Sequence, residues 1–216
     1  MIRRMILKVG ILLATSSALA AGSVDIPSGV YAIDRAHSYV TFSYLHQGLS
    51  YPLLRAAEVD GELNLNADNL EESSVAVAIA ADSIRSNVDY FDEELASPKF
   101  FNAQKFPHIR FVAEELVLSD ERQGVLKGQV TIRGISRPLE LAMTINGAIE
   151  NPISGQPAIG VSAKGELNRS DFQLDRFIPA VSDRVGLHIE VEFALGSNDG
   201  SASAARIARG EAAAGD

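Results

Sequence analysis

The side chains that could do chemistry are few and far apart. The four histidines, His37, His46, His108 and His188, have no second histidine three to five residues away, and no Glu-x-x-His pair occurs. A zinc or iron site would have to assemble in space from distant residues. Strand-borne histidines hydrogen-bonded to their neighbours are the simpler reading, and no metal ligand is assigned. There is no cysteine, which removes disulfides and thiolate metal sites. No Gly-x-Ser-x-Gly elbow presents a serine nucleophile. No glycine loop that cradles phosphates or dinucleotides follows a strand. Neither a catalytic residue nor a cofactor is therefore assigned. Glu71-Glu72 and Glu114-Glu115 read as solvated turn or edge residues, not as a carboxylate pair for acid–base work. Asp34 and His37, three residues apart in an apparent turn, could serve a hydrolase or isomerase acting on an amphiphile. The same spacing gives an ordinary structural hydrogen bond, which is the simpler outcome.

Charge narrows the partners. The 216 residues carry a formal net charge of −9 and are 46% hydrophobic. Residues 1–20 hold Arg3, Arg4 and Lys8 and no acid, so the remainder is more acidic still. Such a surface repels phosphate backbones and anionic lipid surfaces, and no nucleic acid is expected as a partner. The apolar fraction is enough for a core without staples.

The N-terminus reads as an address. A basic start, Met1 to Lys8, leads into the apolar run Val9 to Ala14 and then to Ala18-Leu19-Ala20, an A-x-A cleavage pattern. The run is too short to span a bilayer, and no later segment is long and apolar enough to do so. We read 1–20 as a signal peptide and expect a periplasmic protein. Arg3-Arg4 followed by an apolar residue and Lys8 resembles the twin-arginine pattern, but the very short basic region favours Sec export. Residues 197–216, rich in Ala, Gly and Ser, read as a disordered tail.

The elements that must position any site are strands. Period-two alternation dominates the stretch between. Val40, Phe42 and Tyr44 share one parity. Val59, Gly61, Leu63 and Leu65 share one parity of another strand, and Leu126, Gly128, Val130 and Ile132 of a third. The run Val185, Leu187, Ile189, Val191, Phe193, Leu195 against His188, Glu190 and Glu192 is the clearest. Turn clusters such as Asp120 to Gly124 and Asn151 to Gly155 separate the runs. This predicts eight or nine strands, mostly antiparallel neighbours, in a sheet that closes on itself. Ser86 to Ser97 breaks the pattern with helical spacing, Ser86 or Asn87 as N-cap and Pro98 as stop. Ser170 to Phe177 reads as a second short helical turn.

A closed barrel of about eight strands has room for packed side chains or one small ligand. Which of these applies turns on parity. Ala76, Ala78 and Ala80 occupy one face of a strand, and Val75, Val77 and Ile79 the other. The aromatics Phe91, Phe100, Phe101, Phe106 and Phe111 cluster where they could plug one end or touch a ligand.

Several motifs occur together in order. They are Tyr31 to Ser38 with Val40-Thr41-Phe42, then His46-Gln47-Gly48, Asp82-Ser83-Ile84 and Asp92 to Phe101. Phe106 to Phe111, Gly128 to Leu139, Asn168 to Phe172 and Val181 to Val185 follow. Taken together they resemble the YceI-like polyisoprenoid-binding family over about residues 30–193. The resemblance implies a closed antiparallel lipocalin-like barrel of about eight strands, with a short helical segment near its mouth, as domain 21–196. It implies binding of polyisoprenoid chains or similar amphiphiles, here a polyisoprenoid lipid or isoprenoid quinone, inside the barrel, and often a homodimer; it does not imply catalysis, and no enzyme is expected. The ligand walls expected here are Phe42, Tyr44, Val77, Ile79, Phe91, Phe101, Phe111 and Ile132. Two departures stand out. Where the family usually has Arg-Asp-x-His-Leu, this chain has Phe91, Asp92, Glu93, Glu94, Leu95. Where a second glycine usually follows Gly48, it has Tyr51-Pro52-Leu53-Leu54-Arg55. A third reading is an interaction module whose barrel is filled by its own side chains.

Overall fold

Alternating apolar residues produce long antiparallel strands, and the turn clusters fold them back on one another. The computed structural model describes residues 27–196 and residue 210. The expected signal peptide, and the expected disordered tail apart from residue 210, lie outside the described residues. The strands are β1 (Gly29–Ile33), β2 (Tyr39–His46), β3 (Leu53–Ala56), β4 (Val59–Leu65), β5 (Ser74–Ala80) and β6 (Ile84–Arg85), followed by helix α1 (Asp89–Ala96). Then come β7 (His108–Leu118), β8 (Gln123–Ile132), β9 (Ile135–Glu150), β10 (Pro157–Asn168) and β11 (Val181–Leu195).

These segments make an eight-stranded barrel, because three of its strands are broken in two. β1 and β2 both pair with β11, through Ile33 opposite Phe193 and Val40 opposite Ile189. β4 and β3 cover β1 and β2 in turn, and β5 and β6 cover β4 and β3. From β7 to β11 each strand pairs with the next. All pairings are antiparallel, and contact of β1 with β11 closes the sheet. The expected closed antiparallel barrel is what forms, and closure leaves few strand edges.

The breaks have local causes. Asp34 caps a 3₁₀ turn, Arg35–His37, by accepting from the Ala36 N–H at 2.9 Å. This turn separates β1 from β2. The breaks between β3 and β4 and between β5 and β6 lie side by side. Ser83, 1% exposed, sews them together. Its hydroxyl accepts from the Glu58 N–H at 3.0 Å and donates to the Ala80 carbonyl at 2.8 Å, while its carbonyl accepts from the Ala57 N–H at 3.0 Å.

One end of the barrel is closed by α1, the 97–107 loop and the segment after β10. Leu95, Phe101, Phe172 and Leu174 pack there against Leu54 and Ile84 in one buried cluster. The helix starts later than expected. Its N-cap is Val88, not Ser86 or Asn87, and Asn87 has a left-handed backbone with φ 66°. The Asp92 carboxylate instead reaches back from inside the helix and takes the Ser86 N–H at 2.7 Å. The second expected turn shortens to a 3₁₀ turn over Arg169–Phe172, which Gln173 ends at φ 59°.

Candidate functional site

Inward-facing residues of the barrel enclose a cavity of about 270 Å³, close to the lower end of the roughly 300–1,000 Å³ usual for small-molecule sites. Strand parity fixes its lining. Val75, Val77 and Ile79 of β5 face the cavity, and Ala76 and Ala78 point away from it. The interior is therefore walled by branched side chains, and the alanine face lies outside. Among the described residues, Tyr44, Ser73, Arg110 and Arg169 are the only ones on the lining with polar side chains; the others there are apolar.

Seven of the eight residues expected from sequence, Phe42, Tyr44, Val77, Ile79, Phe101, Phe111 and Ile132, lie on this wall. Phe42 and Tyr44 come from β2, Phe111 from β7 and Ile132 from the end of β8. Phe91 does not line the cavity. It sits on α1 with its ring edge-on to Phe100, at 6.2 Å between centroids and 88° between planes. The neighbouring departure, Glu94, faces Lys99 at 3.6 Å and Arg176 at 3.9 Å. Phe91 and Glu94, the two changed residues of the helix motif, thus both make contacts at the closed end.

Sequence reasoning gave Arg169 no role, although Asn168-Arg169-Ser170-Asp171-Phe172 stood out as a motif. The side chain is 9% exposed and reaches the cavity wall. Its Nε donates to the Ser182 carbonyl at 2.8 Å and its Nη2 to Val181 at 2.9 Å. Nη1 donates to Arg176 at 2.8 Å and also to the Leu174 carbonyl. One guanidinium therefore ties down the loop between β10 and β11. Burial pulls its pKa down, and the charges of Asp183 and Asp175 oppose this. Tyr44 is beside it, directly across from Val185 on β11. Burial raises the Tyr44 pKa, against the pull of the Arg169 charge.

Asp34 and His37 do not face the cavity. His37 Nδ1 lies 2.8 Å from Asp34 Oδ2 on the outside of the barrel. With Glu192 they bring three potential metal-ligand atoms within 4.8 Å of one another. Spacing along the chain could not show this cluster, because Glu192 arrives from the last strand. All three are at least partly solvated, and exposed carboxylates commonly gather without an ion.

The model of the YceI-like domain family matches residues 31–193. A UPF0312 protein of Photorhabdus laumondii subsp. laumondii is 30% identical over 183 residues, which is 84% of this chain and 91% of that protein. The crystal structure of a Campylobacter jejuni YceI protein aligns with a TM-score of 0.63 at 26% identity, covering 69% of this chain and 88% of that one. A polyisoprenoid binding domain from Saccharophagus degradans aligns with a TM-score of 0.60, covering 76% of this chain and 98% of that domain. At 11% identity the last likeness is one of fold.

Proposed function

This chain belongs to the YceI-like domain family, and from that premise we propose that it binds a long apolar amphiphile, a polyisoprenoid or isoprenoid quinone, inside its barrel. It acts as a carrier or store and not as an enzyme. The observation that carries the reading is the nearly all-apolar cavity inside the barrel. A prenyl chain gains about 0.8 kcal/mol for each CH₂ it buries. Several isoprene units therefore exceed the ordering and association costs that oppose binding. A dry slot with a few polar groups is all the protein must supply. The Saccharophagus degradans neighbour is itself described as polyisoprenoid-binding. A barrel filled by its own side chains would lack such a cavity, which weighs against that alternative.

Export completes the reading. The basic start, short apolar run and A-x-A pattern of residues 1–20 support Sec delivery to the periplasm. There the protein would hold the lipid between membranes, as a homodimer by family likeness. Light scattering that returns the mass of one chain would remove the dimer.

The function is tested by mass spectrometry of an organic extract from protein purified out of its native periplasm. A stoichiometric prenyl lipid or quinone is expected; a clean extract from folded protein would overturn the reading. Phe111→Asp combined with Ile132→Asp places two carboxylates on the wall. Burying each unpaired costs several kcal/mol, so this double variant should lose its lipid. Lipid retained at wild-type level in the folded double variant would remove those two residues from the site.

A further inference from the structure

We infer that Tyr44 and Arg169 form a head-group subsite at the closed end of the cavity, and that it selects an amphiphile whose head offers one uncharged acceptor oxygen. The inference rests on the lipid-binding reading above and adds orientation and head-group class. It starts from an inventory of donors. A guanidinium has five N–H groups, and four of those on Arg169 are spent on backbone carbonyls. One N–H of Nη2 is left. The Tyr44 hydroxyl has no hydrogen bond to any described residue, and it belongs to the cavity wall.

The two groups are held at the same place. Arg169 Nε is fixed on the Ser182 carbonyl, and the Ser182 hydroxyl accepts from the Leu45 N–H at 2.9 Å, next to Tyr44. Tyr44 is opposite Val185 on the same stretch of β11. Of the two other polar residues on the wall, Ser73 lies near the opposite end, just before β5, and Arg110 is directly opposite Ala78, whose side chain points away from the cavity; the rest of the wall is apolar. A ligand thus finds two donors in one corner and hydrocarbon along its length, so it lies with its head at Tyr44 and Arg169.

Charge decides what kind of head fits. The corner offers two donors, the spare Arg169 N–H and the Tyr44 hydroxyl, and Asp175 and Asp183 lie close enough to act on the Arg169 charge. A diphosphate brings at least two negative charges and more acceptors than two donors can satisfy. The surplus would be buried unpaired, which costs far more than the two bonds return. A ring carbonyl or phenolic oxygen needs only the donors present.

The test uses the full chain stripped of lipid and four probes of matched chain length. They are a prenylated benzoquinone, the prenyl diphosphate, a fatty acid and the headless hydrocarbon. The quinone should bind more tightly than the other three. In Tyr44→Phe its affinity should fall about 3- to 10-fold, the value of one lost hydrogen bond, while hydrocarbon affinity stays unchanged. The infrared carbonyl stretch of bound quinone should shift to lower frequency in wild type and recover part of that shift in Tyr44→Phe. Tighter binding of the diphosphate or the fatty acid overturns the inference. So does an equal loss for quinone and hydrocarbon in Tyr44→Phe. Failure of every probe, hydrocarbon included, overturns the lipid-binding reading itself.

Discussion

His37 and Asp34 form a pair on the outside of the barrel in which each partner shifts the other. The Asp34 hydrogen bond raises the His37 pKa above its ordinary 6.5, with the charges of Asp34 and Glu192 adding to it. The His37 bond likewise lowers Asp34 below its ordinary 3.8. The signs set a window. Stability from the raised histidine is in full force below its unfolded value and fades as pH rises through the higher folded one. Stability from the lowered aspartate is in force above its unfolded value and fades as pH falls through the lower folded one. The pair therefore supports the 3₁₀ turn best at mildly acidic pH. Asp34→Asn should bring the His37 titration, followed by NMR, back toward 6.5, leaving the smaller influence of Glu192. A titration that does not move would remove Asp34 as the cause. The i, i+3 spacing made this bond legible in the sequence. The approach of Glu192 was not legible, because pairing across 155 positions depends on barrel closure.

The strands themselves were legible because alternation is a local signal. The alternation of β2, β4, β8 and β11 could be read residue by residue, but which parity faces inward could not, because that depends on how the sheet closes. The breaks could not. A run such as Ser74 to Arg85 shows no glycine or proline where it kinks, and the cause is a hydroxyl placed by tertiary structure. Ser83 is nearly fully buried and serves both kinks at once. Removing its hydroxyl leaves the Glu58 N–H without its partner, a loss of about 1–3 kcal/mol when such a group is shielded from water. Ser83→Ala should lower the unfolding free energy by that amount in urea titration. A loss below about 0.5 kcal/mol, the usual range for a surface change, would mean that water takes over the bond. Phe91 failed as a wall residue for a related reason. Helical spacing puts it on α1, and only the packing of the 97–107 loop shows that its ring meets Phe100 edge-on instead of lining the cavity.

An internal space of this size is costly for the whole molecule. At roughly 24 cal/mol for each Å³ left unfilled, a cavity of about 270 Å³ represents roughly 6 kcal/mol. That is comparable with the 5–15 kcal/mol that usually holds a domain together. A chain rich enough in Leu, Ile and Phe to fill its centre has instead placed Ala163 on the wall, between Met143 and Ile189. The space is affordable if a ligand fills it, because anything that binds only the folded form adds RT ln(1 + [L]/Kd) to stability. Ala163→Phe separates the two contributions. Its ring takes up part of the slot, offsetting some of the cavity cost at the risk of about 1–3 kcal/mol of crowding. Lipid-free Ala163→Phe should therefore melt near or above lipid-free wild type and should load little lipid. Added lipid should raise the melting temperature of wild type and leave the variant almost unchanged. If lipid stabilised both proteins equally, the ligand would lie elsewhere than in the barrel. If the variant melted far lower but still gained from lipid, the cavity would be wider at Ala163 than its neighbours imply, and the slot would admit chain and ring together.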